Sequence, residues 1–165
     1  MIKSPTSRGI AALIAVVPTA VGLYVLSAPS AAAANTACPV PGAGAVQATE
    51  ADAQCAATSA EGAAAAAYGL GGDAYAHAGP TSLALAIAQN GGIATSNSTS
   101  LSGPAAIALG PGATVTADGV RPGLSIGIAG PGATVTVSGV DAPTCVGGMG
   151  FAGDFQTLRG CLSTG

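Results

Sequence analysis

The sequence predicts an all-β fold: a parallel β-solenoid (β-roll) with coils of about 20 residues, disulfide-bounded caps and a short C-terminal helix. Three observations support it: an exact internal repeat, a period-two alternation between turn residues, and four cysteines that flank the repeats. The composition agrees, since 49% of the 165 residues are hydrophobic but only 3% are aromatic. Charged residues, at 7%, are too few for charge-driven disorder, and a conventional core lacks its large side chains.

The N-terminus has the composition of a secretory signal peptide, residues 1–34. Lys3 and Arg8 precede an apolar run over 10–26, and small residues follow as far as Ala34. We expect cleavage near Ala34 and Asn35. The alternative is an uncleaved anchor, because the run approaches the roughly 17 residues that span a bilayer. Contact with a membrane is otherwise expected only through this segment before cleavage, and the protein is expected to be secreted or in the cell envelope.

The rest of the chain is acidic. Only Arg121 and Arg159 remain as basic side chains, against seven carboxylates, which gives a net charge of −5. Proteins that bind nucleic acid neutralise phosphates with clustered Lys and Arg, so nucleic acid is excluded as a partner. An unknown envelope or extracellular partner is expected instead.

Four cysteines, Cys38, Cys55, Cys145 and Cys161, lie in the part predicted to be exported. An even number in an oxidising compartment usually means disulfides, and three pairings are possible. We favour Cys38 with Cys55 and Cys145 with Cys161, because each closes a short loop and would stabilise by about 3 kcal/mol. These loops define an N-terminal cap over 35–62 and a C-terminal cap over 143–165. The spacing fits no zinc motif, so neither metal nor cofactor is expected.

An exact repeat occupies the region between the caps. Residues 110–116 recur identically as 130–136, and the lag of 20 extends backward through the glycines. Four units result, at 63–82, 83–102, 103–122 and 123–142, so the solenoid is assigned to 63–142. The first unit contains an alanine run, which favours helix intrinsically, and could be either a coil or a helix.

Within each unit the residues alternate in period two, as in Leu83–Gln89, between Gly, Pro and Asn turn residues. This pattern predicts two short strands per coil, with coils about 4.8 Å apart and an interior filled by Ala, Val and Ile. A lag of 20 makes Ile107 equivalent to Gly127, on the wrong parity, so we expect a bulge or longer turn at 121–123 to restore it. In the C-terminal cap, Phe151, Phe155 and Leu158 have the spacing of one helical face, which predicts a helix over the last coil.

Two motifs suggest chemistry. Residues 123–127 match G-x-S-x-G, but Ser125 lies in a repeat strand and His77 is the only available base. Asp73 follows two glycines as in calcium-binding β-rolls, yet the later turns have no carboxylate. We therefore expect no catalytic residues, no metal site and no enzymatic activity.

Two Thr-Val-Thr triplets would stack in adjacent coils and place hydroxyl and methyl groups in rows. Their threonines are Thr114, Thr116, Thr134 and Thr136. The arrangement resembles the Thr-x-Thr ladder of insect β-solenoid antifreeze proteins, which implies binding to ice or another crystalline surface. A lag of 20 makes Ala94 and Ser96 the next equivalents, which interrupts the row, and threonine is also a common strand residue on a solvated face.

The strings at 105–110 and 125–130 resemble the Ala-Ile-Ala-Ile-Gly repeats in the β-roll heads of trimeric bacterial adhesins. The whole chain, with its leader, Ala/Gly-rich repeats and Cys-bounded tail, resembles small secreted actinobacterial proteins of unknown function. These resemblances imply a rolled fold and no particular activity. The expected function is a non-catalytic structural or interaction protein of the cell envelope or extracellular space; the alternative is an ice- or crystalline-surface-binding protein.

Overall fold

The computed structural model describes residues 34–99 and 101–165, which form strands and turns without a helix. Apart from Ala34, the predicted signal peptide lies outside the described residues. The strands are β1 (Asn35–Pro41), β2 (Gly44–Glu50), β3 (Ala53–Ser59), β4 (Ala64–Leu70), β5 (Asp73–Ala78), β6 (Leu83–Gln89), β7 (Ile93–Ser98), β8 (Ser102–Leu109), β9 (Thr114–Gly119), β10 (Gly123–Ala129), β11 (Ala133–Val137), β12 (Thr144–Gly147), β13 (Met149–Asp154) and β14 (Arg159–Thr164).

The strands form two seven-stranded sheets. Sheet A has the order β1-β4-β6-β8-β10-β13-β14, and sheet B has the order β12-β11-β9-β7-β5-β3-β2. From β3 to β11 the chain alternates between the sheets, and each strand pairs in parallel with its equivalent one coil later. This is a parallel β-solenoid of about four turns, as the repeat predicted. The alanine run of the first unit forms strand β4, because pairing with β6 outweighs alanine's helix propensity.

The coil length is not constant. In sheet A, Ala64 pairs with Leu83, Leu85 with Ala105, and Ala105 with Ile126, which are separations of 19, 20 and 21 residues. The growth comes from one edge of the solenoid, where successive turns have two residues (71–72), three (90–92) and four (110–113). The extra residue that restores parity therefore lies at 110–113, and its predicted location at 121–123 was wrong.

The interior between the sheets contains almost only small side chains. Alanine dominates, Val115, Val135 and Val137 are the largest aliphatic side chains that are fully buried, and Ser96 and Pro104 are buried among them. Isoleucine, which we expected inside, points outward from sheet A, because alternate alanines already occupy the inward positions. The packing is tight: a Cβ built on Gly127 would lie 2.8 Å from a Val115 methyl. Close sheets thus explain the composition.

Antiparallel strands close both ends of the parallel stack. Strands β1 and β2 cover the first coil, and β12 and β13 cover the last. Each end also has a disulfide that joins one sheet to the other: Cys38 on β1 bonds Cys55 on β3 at 2.02 Å, and Cys145 on β12 bonds Cys161 on β14 at 2.03 Å. Both pairings are the ones that short loops favoured, and each staples the two sheets where lateral support ends.

The predicted C-terminal helix is wrong. Phe151 lies in β13, and Phe155 and Leu158 lie in the turn before β14, 67% and 84% exposed, so the three side chains do not form a lid. The glycines of this segment disfavour helix, while its residues alternate with period two. The buried carboxylate of Asp154 holds the turn instead, accepting hydrogen bonds from the Gln156 amide at 2.9 Å and the Thr157 hydroxyl at 2.7 Å.

Candidate functional site

The outer surface of sheet A, here called the apolar face, is the most unusual feature of the described structure. Its large outward side chains are aliphatic or aromatic: Tyr68, Leu70, Leu83, Leu85, Ile87, Ile107, Leu109, Leu124, Ile126, Ile128, Met149, Phe151 and Leu162. The seven strands contain two charged residues, Asp154 and Arg159, and both lie at the turn between β13 and β14 on the inward parity. An uncharged sheet surface of this width is unusual for a solvated face.

One row of large side chains forms a ridge along the apolar face, parallel to the solenoid axis. The row runs through directly paired residues on successive strands: Tyr68, Ile87, Ile107, Ile128, Phe151 and Leu162. Same-face neighbours on adjacent strands contact each other, so the ridge is continuous from the first coil to the C-terminal hairpin. Parallel in-register stacking therefore converts one repeated position into a continuous apolar strip.

Beside the ridge, toward the strand starts, the apolar face has a groove of about 420 Å³. Its floor consists of small residues, namely Ala64, Ala66, Gly103 and Ala105, and Leu83, Leu85, Leu124, Pro39 and Pro41 form its walls. Leu124 leans across the floor, because a Cβ on Gly103 would lie 2.7 Å from its Cδ2 atom. Ridge and groove thus share one face and run in the same direction.

The outer surface of sheet B, here called the polar face, has the opposite character. Its central row contains four threonines, Thr95, Thr116, Thr136 and Thr144, each paired with the next across neighbouring strands. The expected interruption at Ala94 and Ser96 was wrong, because a separation of 21 residues brings Thr95 opposite Thr116. Both interrupting residues point inward and are buried. The flanking row contains Thr114 and Thr134 beside Ile93.

A second polar row lies near the other end of the sheet B strands. His77, Asn97 and Asp118 are paired in sequence, and the Asn97 amide donates a hydrogen bond of 2.9 Å to the Asp118 carboxylate. They border a groove of about 320 Å³ along the solenoid edge. Closer to the first coil, the Tyr75 hydroxyl donates to the Gln54 side chain at 2.7 Å. Burial, and secondarily the Asp73 carboxylate, raise the pKa of Tyr75.

The structure does not bring the G-x-S-x-G serine to a base. Ser125 points into the space between the sheets and is 3% exposed, whereas His77 lies on the outer surface of sheet B. Among residues 34–99 and 101–165, no three His, Cys, Asp or Glu side chains are grouped so that they could hold a metal ion. Asp73 and Asp118 lie in different rows of the polar face, so the calcium arrangement considered from the sequence is not formed there.

The description "Family of unknown function (DUF6764)" belongs to a family model that matches residues 3–164. The chain belongs to this family. The match covers the N-terminal segment, the whole solenoid and both caps, so the family extends over the complete two-sheet architecture. Neither the curated proteins nor the solved structures include a significant match. The described part of this family member has no helix long and apolar enough to cross a membrane, and its two disulfides are consistent with an oxidising environment.

Proposed function

We propose that this member of the family is a non-catalytic structural or interaction protein of the cell envelope or extracellular space, and that it works through the apolar face. The observation that carries the proposal is an uncharged surface across the strands of sheet A, backed by a polar surface on sheet B. The largest apolar patch on a typical soluble monomer is about 300–600 Å², and larger ones mark interaction sites.

Export is part of this proposal. The apolar run at 10–26 has the features of a signal peptide, and disulfides persist in oxidising compartments. Both bridges join the two sheets at the ends of the solenoid, where reduction would leave the caps held by backbone pairing alone. An oxidised, exported protein is therefore the form in which the apolar face would meet its partner.

Cell fractionation combined with thiol alkylation tests the proposal. We expect the protein in the envelope or medium fractions, with its four cysteines blocked until a reductant is added. The matched control replaces Cys38 and Cys55 with alanine, which should halve the mass shift seen after reduction and alkylation. Recovery only from the cytosol, with thiols that react directly, would contradict both the export and the extracellular role.

The threonine row supports a second candidate, binding to ice or another crystalline surface. Thr95, Thr116, Thr136 and Thr144 occur on consecutive strands of the polar face, which makes the row longer than the two triplets indicate. Thermal hysteresis of the purified protein tests this role. Activity that Thr116→Lys abolishes and Ile107→Lys preserves would support it. Freezing behaviour equal to that of a buffer control would remove it.

A further inference from the structure

We infer that the partner of the apolar face is a second copy of this chain, and that two solenoids associate face to face with the ridge of each seated in the groove of the other. The inference rests on the proposed function, because it names the partner of the surface through which that function works. It follows from the size of the face, the distribution of charge, and the arrangement of ridge and groove.

The size of the face fits a dimer. Seven strands about 4.8 Å apart, each about seven residues long, span about 34 Å by 23 Å, or roughly 750 Å². A stable protein–protein interface of standard size buries about 800 Å² on each partner. Sheets also pack face to face at about 10 Å when their facing side chains interdigitate, as apolar rows do. One copy of the chain therefore offers the area that a stable dimer needs.

The charge distribution favours a second copy over a lipid surface. The described residues carry two arginines and seven carboxylates, and none of these charges lies on the outward positions of sheet A. Two copies can therefore meet through this face without bringing carboxylates together. Membrane-surface proteins instead surround their apolar side chains with Lys and Arg, which attract anionic headgroups. A net charge of −5 gives no such attraction.

The relief of the face is self-complementary. The groove lies over the first half of the sheet A strands and the ridge over the second half, as Leu83 and Ile87 show on β6. A two-fold axis in the interface, parallel to the solenoid axis, exchanges these halves and brings each ridge over the opposing groove. The same axis keeps each coil level with its counterpart, so Ile107 of one copy lies over Ala105 of the other. Such an isologous contact closes at two copies.

Sedimentation velocity of the purified, oxidised full-length protein tests the inference, over about 1–100 µM. We expect a particle of twice the monomer mass. Ile107→Lys, in the middle of the ridge, should raise the dissociation constant about 100-fold or more, because a buried interface would acquire an unpaired charge. The matched control is Thr116→Lys in the centre of the polar face, which should leave the dimer unchanged. Both variants keep residues 1–34, so their difference reports on the two faces alone.

Ile107→Thr provides a second variant in case lysine prevents folding, since threonine keeps the β-branched shape and removes apolar area. It should weaken the dimer measurably while the far-ultraviolet β spectrum stays native. A photo-reactive side chain at position 107 should crosslink near Ala105 of the other copy. Crosslinks from ridge to ridge would overturn the proposed seating.

Three results would overturn the dimer. The first is a wild-type protein that stays monomeric throughout the concentration range. The second is a dimer that Thr116→Lys disrupts and Ile107→Lys preserves. The third is a monomer that floats with neutral phosphatidylcholine vesicles and loses this with Ile107→Lys, which would assign the face to lipid. An exported monomer contradicts this inference alone, whereas a dimer confined to the cytosol contradicts the proposed function alone.

Discussion

Ile107 on β8 and Ile128 on β10 are direct neighbours in the ridge although they are 21 residues apart, one more than the lag of the exact repeat. The additional residue lies in the four-residue turn at 110–113. Without it, Gly127 would stand beside Ile107, and Ile128 would face the interior. The turn length therefore keeps large side chains outside and small ones inside, and it is the reason that the apolar face is continuous.

The turns on this edge should tolerate a change of length that the strands do not. A glycine inserted between Gly71 and Gly72 gives this turn the three residues of its neighbour at 90–92, and we expect a loss of less than about 1 kcal/mol in the free energy of unfolding. The matched control inserts a glycine between Ile87 and Ala88 in β6, which reverses the direction of later side chains and should cost about 3 kcal/mol or more. Denaturant unfolding measures both, and equal losses would contradict the register account.

Gly127 should not accept a methyl group. Its added Cβ would lie 2.8 Å from Val115 Cγ1 and 3.2 Å from Val135 Cγ1, so Gly127→Ala should lower the free energy of unfolding by about 1–3 kcal/mol. Adding Val115→Ala should recover part of the loss. The control is Gly153→Ala, whose nearest contact would be 3.7 Å and which should be nearly neutral. Equal effects at the two glycines would mean that the interior is looser than described.

Ser125→Ala should stabilise the protein. The Ser125 hydroxyl is buried without a hydrogen-bond partner, so its removal should raise the free energy of unfolding by about 1 kcal/mol. Ser96→Ala is the matched control, because that buried hydroxyl donates to the Pro104 carbonyl at 2.9 Å and its loss should destabilise by a similar amount. Thermal and denaturant unfolding check the opposite signs. A loss at Ser125 equal to that at Ser96 would show that Ser125 has a partner.

The stability of the fold should fall in strong alkali through Tyr75. Its pKa is raised above the ordinary 10.0, first by burial and then by the Asp73 carboxylate, so the folded state keeps the neutral phenol. That contribution is complete below pH 10.0 and disappears as the pH rises through the folded pKa. In a Tyr24→Phe, Tyr68→Phe background, near-ultraviolet titration should give a lower pKa for Tyr75 after Asp73→Asn but not after Asp118→Asn. Identical titrations would remove the role of Asp73.

The winding of the chain could be predicted because the sequence contains it directly. The exact recurrence of 110–116 at 130–136 requires equivalent positions one coil apart, and turn residues mark the corners. The disulfide pairing also followed from sequence, since each pair closes a short loop. These features depend on distances along the chain, which a single sequence records.

The direction of the side chains could not be predicted in the same way. Alternation in Leu83–Gln89 is compatible with either parity inside, and ordinary hydrophobic patterning favours leucine and isoleucine inside. The choice depends on the spacing between two sheets, which leaves room for alanine and valine only. The apolar face was missed for this reason, although the strict alternation of alanine with large aliphatic residues was its signal. The helical spacing of Phe151, Phe155 and Leu158 similarly concealed a hairpin.

The most direct measurement compares two adjacent residues of β6, Ala86 and Ile87, at protein concentrations low enough for the wild type to be monomeric. Ala86 is fully buried between the sheets, whereas Ile87 points outward in the ridge. We predict that Ala86→Leu lowers the free energy of unfolding by about 2–3 kcal/mol through overpacking, and that Ile87→Ala lowers it by less than about 1 kcal/mol. A larger loss for Ile87→Ala than for Ala86→Leu would place isoleucine inside and contradict the two-faced solenoid.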